Sequence, residues 1–248
     1  PIAPSMLLSP KILTGAANAF AGFNAEVGTI AYGWRPIESR GEAALALGNY
    51  ATHRQSLYQA GVSSSIVAGG TLAADVDLAR SESAGSVPFG DHHFERAAGR
   101  VQWRDAQSQT DLFAGTQDKF FGWPNLYTPF GVNETEDLHA QLYVLNHRTG
   151  TAADHYWEVG AYYRRNYDDY EYNRSIPGQF NPYQHTTQVR AFSLEGRQDF
   201  TACIIAFHAQ LMTDQLESTA LTFGHFNTRR YLKLAVVPEW RWTSTTGQ

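Results

Sequence analysis

An all-β fold of antiparallel strands that cross a membrane as a β-barrel is what this sequence predicts, on three observations. From Glu42 onward, apolar side chains fall on every second position in segments of about ten residues, the period of a strand. The connections alternate between short polar turns and long loops, as in a barrel with short turns on one side of a bilayer and long loops on the other. Aromatic side chains gather where the segments end, as in Phe120, Phe121 and Trp123, where rings would sit at a membrane interface.

Each element follows from its own pattern. In LAADVDL, Leu72, Ala74, Val76 and Leu78 oppose Ala73, Asp75, Asp77 and Ala79. In RAAGRVQWR, Ala97, Gly99, Val101 and Trp103 take one face, and Arg96, Arg100 and Arg104 share the other. From Glu136 on, Leu138, Ala140, Leu142 and Val144 form the apolar face, while Asp137, His139, Gln141, Tyr143, Leu145 and His147 form the polar one. In HYWEVGAYYRR, Trp157, Val159, Ala161 and Tyr163 oppose Tyr156, Glu158, Gly160, Tyr162 and Arg164. TACIIAFHAQL sets Cys203, Ile205, Phe207, Ala209 and Leu211 against Ile204, Ala206, His208 and Gln210. QVRAFSLEG is ambiguous, because Val189 and Phe192 fall on opposite faces. In a barrel the apolar face meets lipid and the polar face lines the lumen. Short turns are expected at SSSIVAGG, DAQSQ, TGTAAD and RQDF, and long loops at SESAGSVPFGDHH, GWPNLYTPFGVNETE, YDDYEYNRSIPGQFNPYQ and TDQLESTALTFGHFNTR.

Composition narrows the function. Charged residues make up 17% and aromatics 13% of the chain, a balance that suits pleated surfaces better than helices. A net charge of −5 with no Lys/Arg-rich run gives no footprint for nucleic acid. Cys203 is the single cysteine, which excludes an internal disulfide and a cysteine-built zinc site. No apolar run approaches the roughly 18–20 residues of a membrane-spanning helix. The start, PIAPSMLLSPK, lacks the regions of a signal peptide, so the chain reads as mature, processed or a fragment.

A soluble antiparallel sandwich would show the same alternation, with core on one side and water on the other. Strand length separates the two. Thr110 to Trp123 and Asp154 to Tyr167 exceed the five or six residues usual in soluble strands and fit a tilted membrane span.

The segment DLFAGTQDKFFGWPNLYTPFGVNETEDLHAQLYVLNH resembles the strand, extracellular loop and returning strand found early in the barrels of TonB-dependent outer-membrane receptors of the siderophore and cobalamin type. AFAGFNAEVGTIAYGWRPIESRGEAALALGNYATHRQSLYQAG is similar to the passage from the last strand of their plug into the first barrel hairpin, with Glu26 to Trp34 as that plug strand. The resemblance spans roughly Ala21 to Arg241. It implies a barrel of about 22 antiparallel strands around an N-terminal plug, in the outer membrane of a Gram-negative bacterium. Residues 1–37 would be the end of the plug and 38–248 a partial barrel of about ten strands.

No TonB box or terminal barrel-closing aromatic is recognisable, and a half-barrel would leave unpaired edges in lipid. The chain is therefore expected to be a fragment of a longer receptor. The resemblance further implies active uptake of a scarce ligand, such as a ferric siderophore or cobalamin, with the TonB complex engaged through the missing plug. The rivals are a passive porin and a soluble β-sandwich binding module.

No enzyme motif is present: there is no Gly-x-Ser-x-Gly elbow, phosphate loop or HExxH helix. His155, His185, His208 and His225 lack a serine in a nucleophile context. DHHFE places His92 and His93 on opposite faces of an extended chain, which argues against a metal site. Asp91 is the single aspartate of its loop, so the calcium site of cobalamin-type relatives is not carried over. DDYEYN, from Asp168 to Asn173, is acidic enough to hold a cation weakly, but such a run is more often a solvated loop tip, and no cofactor is expected. What remains is a ring-rich binding surface: Trp123, Tyr127 and Phe130 in one loop, and Tyr167, Tyr170, Tyr172 and Arg174 in the next. Phe120 and Phe121 are assigned to the interfacial girdle or to packing.

Overall fold

Ten consecutive antiparallel strands form one sheet in the computed structural model, in which each strand pairs with its sequence neighbours. The structure describes residues 1–14, 28–152, 155–180, 183–221 and 227–240. A small separate sheet pairs β1 (Lys11–Thr14) with β2 (Gly28–Ala31). The main sheet runs through β3 (Arg40–Leu47), β4 (His53–Val67), β5 (Gly70–Ser83), β6 (His92–Arg104), β7 (Ser108–Gly122), β8 (Thr135–Ala152), β9 (His155–Glu171), β10 (Tyr183–Phe200), β11 (Cys203–Ser218) and β12 (Thr228–Trp240). Of the expected plug strand, Glu26 and Val27 lie outside the described residues, as does His225.

The turns alternate as the sequence requires. Ala68 and Gly69, both at positive φ (51° and 81°), close the β4–β5 hairpin in the conformation that matches strand twist. Long loops join β5 to β6, β7 to β8 and β9 to β10 at the opposite end of the sheet. Strands β8 and β10 reach 18 residues each, beyond the roughly 9–11 that span a bilayer, so they project past it on the long-loop side.

The two faces differ in chemistry. The outer face exposes Leu45, Leu112, Leu234 and Val236, each at 57–70%. The inner face carries the N-terminal segment: Ala3, Met6 and Ile37 pack with Tyr58, Ala98 and Phe113, joined by Trp34, Leu142 and Val144. Apolar side chains outward is the pattern of a transmembrane β-sheet; this sheet follows it outside, while its inner face carries both buried charges and the apolar cluster that holds the N-terminal segment.

Buried charges hold the segment in place. Arg100 and Asp75, with side chains fully buried, pair at 2.9 Å. Arg100 also donates to the Arg35 carbonyl at 2.8 Å and lies over the Trp34 ring at 5.0 Å, while Trp34 packs on Phe113 at 5.3 Å. Ser5 donates to Asp77 at 2.7 Å, and Asp77 also receives Arg96 at 2.8 Å. These charges tolerate burial because each meets an opposite charge or a hydrogen-bond partner.

One face assignment is corrected. Leu112↔Leu145 and Phe113↔Val144 are in register, so Leu145 and Tyr143 share the outer face with exposed Leu112, and Val144 shares the inner face with buried Phe113. The apolar row Leu138, Ala140, Leu142 and Val144 therefore points inward, the reverse of the expected order. Leu142 and Val144 are apolar because they pack beside Phe113 and Trp34 against the N-terminal segment. In β10, Val189 is buried at 5% on the inner face and Phe192 exposed at 46% on the outer, which resolves the ambiguous segment.

Candidate ligand-binding site at the long-loop mouth

Above the apolar belt the inner-face ends of β8, β9 and β10 meet the 123–134 loop. The loop closes on itself: Trp123 N–H donates to the Glu134 carbonyl at 2.9 Å, and Asn125 N–H to the Val132 carbonyl at 3.1 Å. Asn125, at φ 61°, tolerates the left-handed conformation and accepts Gly131 N–H on its Oδ1 at 2.6 Å.

Glu134, with no exposed surface, gathers the loop. Its carboxylate accepts Tyr127 N–H at 2.7 Å, the Thr128 hydroxyl at 2.9 Å and the Tyr170 hydroxyl at 2.9 Å. Tyr127 in turn donates its hydroxyl to Glu136 at 2.7 Å. The Tyr127 and Tyr170 rings meet edge to face at 5.3 Å, and Tyr183 continues the row 6.0 Å from Tyr170. Such an edge-to-face pair is a favoured geometry for rings whose outer surfaces remain free for a ligand.

Beneath the rings lies a carboxyl pair. Burial, then a hydrogen bond with Asp168, pushes the Glu136 carboxyl up to about 7. The Glu136 carboxylate beside it, with burial, pushes the Tyr127 phenol up to about 12. Burial and Glu134 push the Tyr170 phenol upward too. The mouth therefore holds hydroxyl donors and a carboxyl group whose charge changes near neutral pH.

Two further contacts tie three loops into one unit. Arg174 forms a two-pronged ion pair with Asp91, 83 residues away in sequence, and lies over the Phe120 ring at 5.4 Å. Its backbone N–H donates to the Asn133 carbonyl at 3.0 Å. The guanidinium holds the Asp91 carboxyl below the usual carboxylate range.

Of the rings singled out in the sequence, Tyr127 and Tyr170 come together. Trp123 and Phe130, at 58% and 73% exposure, flank them on the loop. Tyr172 pairs with Phe180 at 4.9 Å. Tyr167 falls on the outer face, stacked on His139 at 5.9 Å, because strand alternation sends it opposite to Tyr170. Arg174 is committed to Asp91.

DDYEYN is corrected from a loop tip to the end of β9: Asp168 to Glu171 are paired strand residues. Glu134 and Glu136 were given no role from the sequence, although the run NETED next to a ring-rich loop carried the signal, and Asp168 was read only as part of the DDYEYN run. His92, bonded to Ser81 at 2.9 Å, and His93, bonded to Glu82 at 3.1 Å, occupy opposite faces.

No protein-family model and no curated protein matches the chain. Among solved structures, the copper transporter OprC is similar at a TM-score of 0.42 and 14% sequence identity, over 89% of this chain and 46% of that one. The chain thus spans less than half the length of that structure.

Proposed function

We propose that the chain is part of an outer-membrane receptor of the TonB-dependent type, which captures a scarce ligand at its long loops for active uptake. Residues 1–37 would be the end of its plug and 38–248 part of its barrel. The observation that carries this reading is the N-terminal segment locked onto the inner face by buried Arg100 and Asp75, beneath a ring-lined mouth. An open diffusion channel would leave that face to water. A soluble sandwich would bury the outer row that here exposes Leu234 and Val236 at about 70%.

Strands β3 and β12 each have one unpaired edge among the described residues, which suits a sheet continued by further strands. Tyr127 and Tyr170 offer ring surface and Glu136 a titrating carboxyl, which suits a ferric siderophore or cobalamin, large ligands with flat and hydrogen-bonding parts.

Uptake of labelled iron chelates and cobalamin by cells expressing the receptor tests the proposal. Uptake should stop when the proton-motive force is collapsed; insensitivity to an uncoupler would favour a passive channel. Replacing Tyr127 and Tyr170 together by Ala should weaken uptake while membrane insertion persists, and unchanged uptake would remove those rings from the site.

A further inference from the structure

The level on the outer face where the apolar belt ends carries charge unevenly. On β5–β8 the charges are paired: Arg80 bonds Glu82 and lies 3.6 Å from Glu95, and His139 bonds Asp118 at 2.5 Å and lies 3.4 Å from Asp137. On β9–β12 the outer-face apolar rows of those strands end at Arg165, Arg190 and Arg230, and no carboxylate among the described residues forms an ion pair with them. Arg190 and Arg230 stand in one row with Thr213 between them, two strands apart. Neighbouring strands lie roughly 4.8 Å apart, so the two guanidinium groups can close on one phosphate.

A groove of about 400 Å³ opens at this row, with Arg190, Thr213 and Arg230 at its rim and Phe192 and Leu211 below, continuous with the apolar belt. We propose that this groove seats a lipid of the outer leaflet that bears a phosphate headgroup, resting on the membrane reading above. The phosphate would lie between the Arg190 and Arg230 guanidinium groups, and an acyl chain would descend over Phe192 and Leu211.

Three features select this ligand. A planar guanidinium matches phosphate oxygens in a two-pronged geometry. The rim sits where the apolar belt ends, the depth of headgroup phosphates in a bilayer. The slot is cationic above and apolar below, which suits an amphiphile better than a free anion. A similar groove of about 480 Å³ on β4–β7 is lined by Arg80, Arg96, Glu95 and Asp118, with Arg96 already bound to Asp77 and Arg80 to Glu82, so it offers phosphate no uncommitted cation. It serves as an internal control.

The test reconstitutes the full receptor that contains this chain in phosphatidylcholine vesicles, confirms that it floats with them, then extracts it into micelles doped with phosphatidic acid or with phosphatidylcholine alone. Bound lipid is read by intact-complex mass spectrometry. Retention of one phosphatidic acid is expected, about thirtyfold weaker in R190Q/R230Q, partly rescued in R190K/R230K and unchanged in R80Q. Equal retention by R190Q/R230Q, equal retention of phosphatidylcholine, or complete displacement by millimolar inorganic phosphate would each overturn the proposal while leaving the membrane reading intact. Failure to float with the vesicles would overturn both.

Discussion

Replacing Glu134 by Ala should open the ring-lined mouth while the sheet stays folded. Three donors converge on this fully buried carboxylate: Tyr127 N–H, the Thr128 hydroxyl and the Tyr170 hydroxyl. A hydrogen bond to a charged group contributes about 1.5–3 kcal/mol. The two hydroxyls can turn to water once the loop lifts, so their loss counts near the lower end, and the total comes to about 4.5–6 kcal/mol. At about 1.4 kcal/mol per factor of ten, the open population of the loop should rise at least about a thousandfold.

Glu134→Gln keeps one acceptor oxygen and faces the Tyr127 N–H with an amide donor, so it should cost about 1–2 kcal/mol. Hydrogen exchange read on peptides of residues 123–134 reports this opening, and peptides from the paired centre of β7 and β8 provide the reference. Loop protection in the Ala variant within twofold of the parent would refute Glu134 as the anchor.

Glu136 makes the mouth sensitive to pH. Its carboxyl rises from the ordinary value near 4.5 to about 7, so between those values the folded state holds a proton that the unfolded chain has released. Stability of the mouth is therefore highest below about pH 4.5 and declines as pH rises through 7. Loop exchange, corrected for its intrinsic pH dependence, should show that slope and lose it in Glu136→Gln. Arg100→Ala leaves buried Asp75 without its counter-charge, held by the Tyr58 hydroxyl at 3.1 Å, and frees the Arg35 carbonyl, a loss of about 3–5 kcal/mol; protease cleavage near residues 34–37 should accelerate, and unchanged cleavage would deny that Arg100 holds the segment. Leu145→Arg puts a charge on the lipid face of β8 and should cost about 2–4 kcal/mol of stability in bilayers, whereas Leu138→Arg, on the inner face above the belt, should cost less; the opposite ranking in urea titrations from vesicles would restore the sequence-based face assignment.

Strand identity was legible in the sequence because side-chain alternation is a local property of an extended chain. Segments such as Leu72 to Leu78 and Trp157 to Tyr163 declared their outer faces without reference to any partner, and the positions of short turns and long loops followed. The face of β8 was not legible: Leu138, Ala140, Leu142 and Val144 are apolar for contact with Phe113, Trp34 and the N-terminal segment, not with lipid. Only register against β7 distinguishes the two, since a shift of one residue exchanges the faces. The mouth shows the same division. Ring-rich loops announced a binding surface, but strand alternation and register decided that Tyr127 meets Tyr170, that Tyr167 turns outward, and that Asp91 reaches Arg174 across 83 residues. Period and composition travel along the chain and can be read from it; a buried carboxylate with three donors exists only after distant strands are brought side by side.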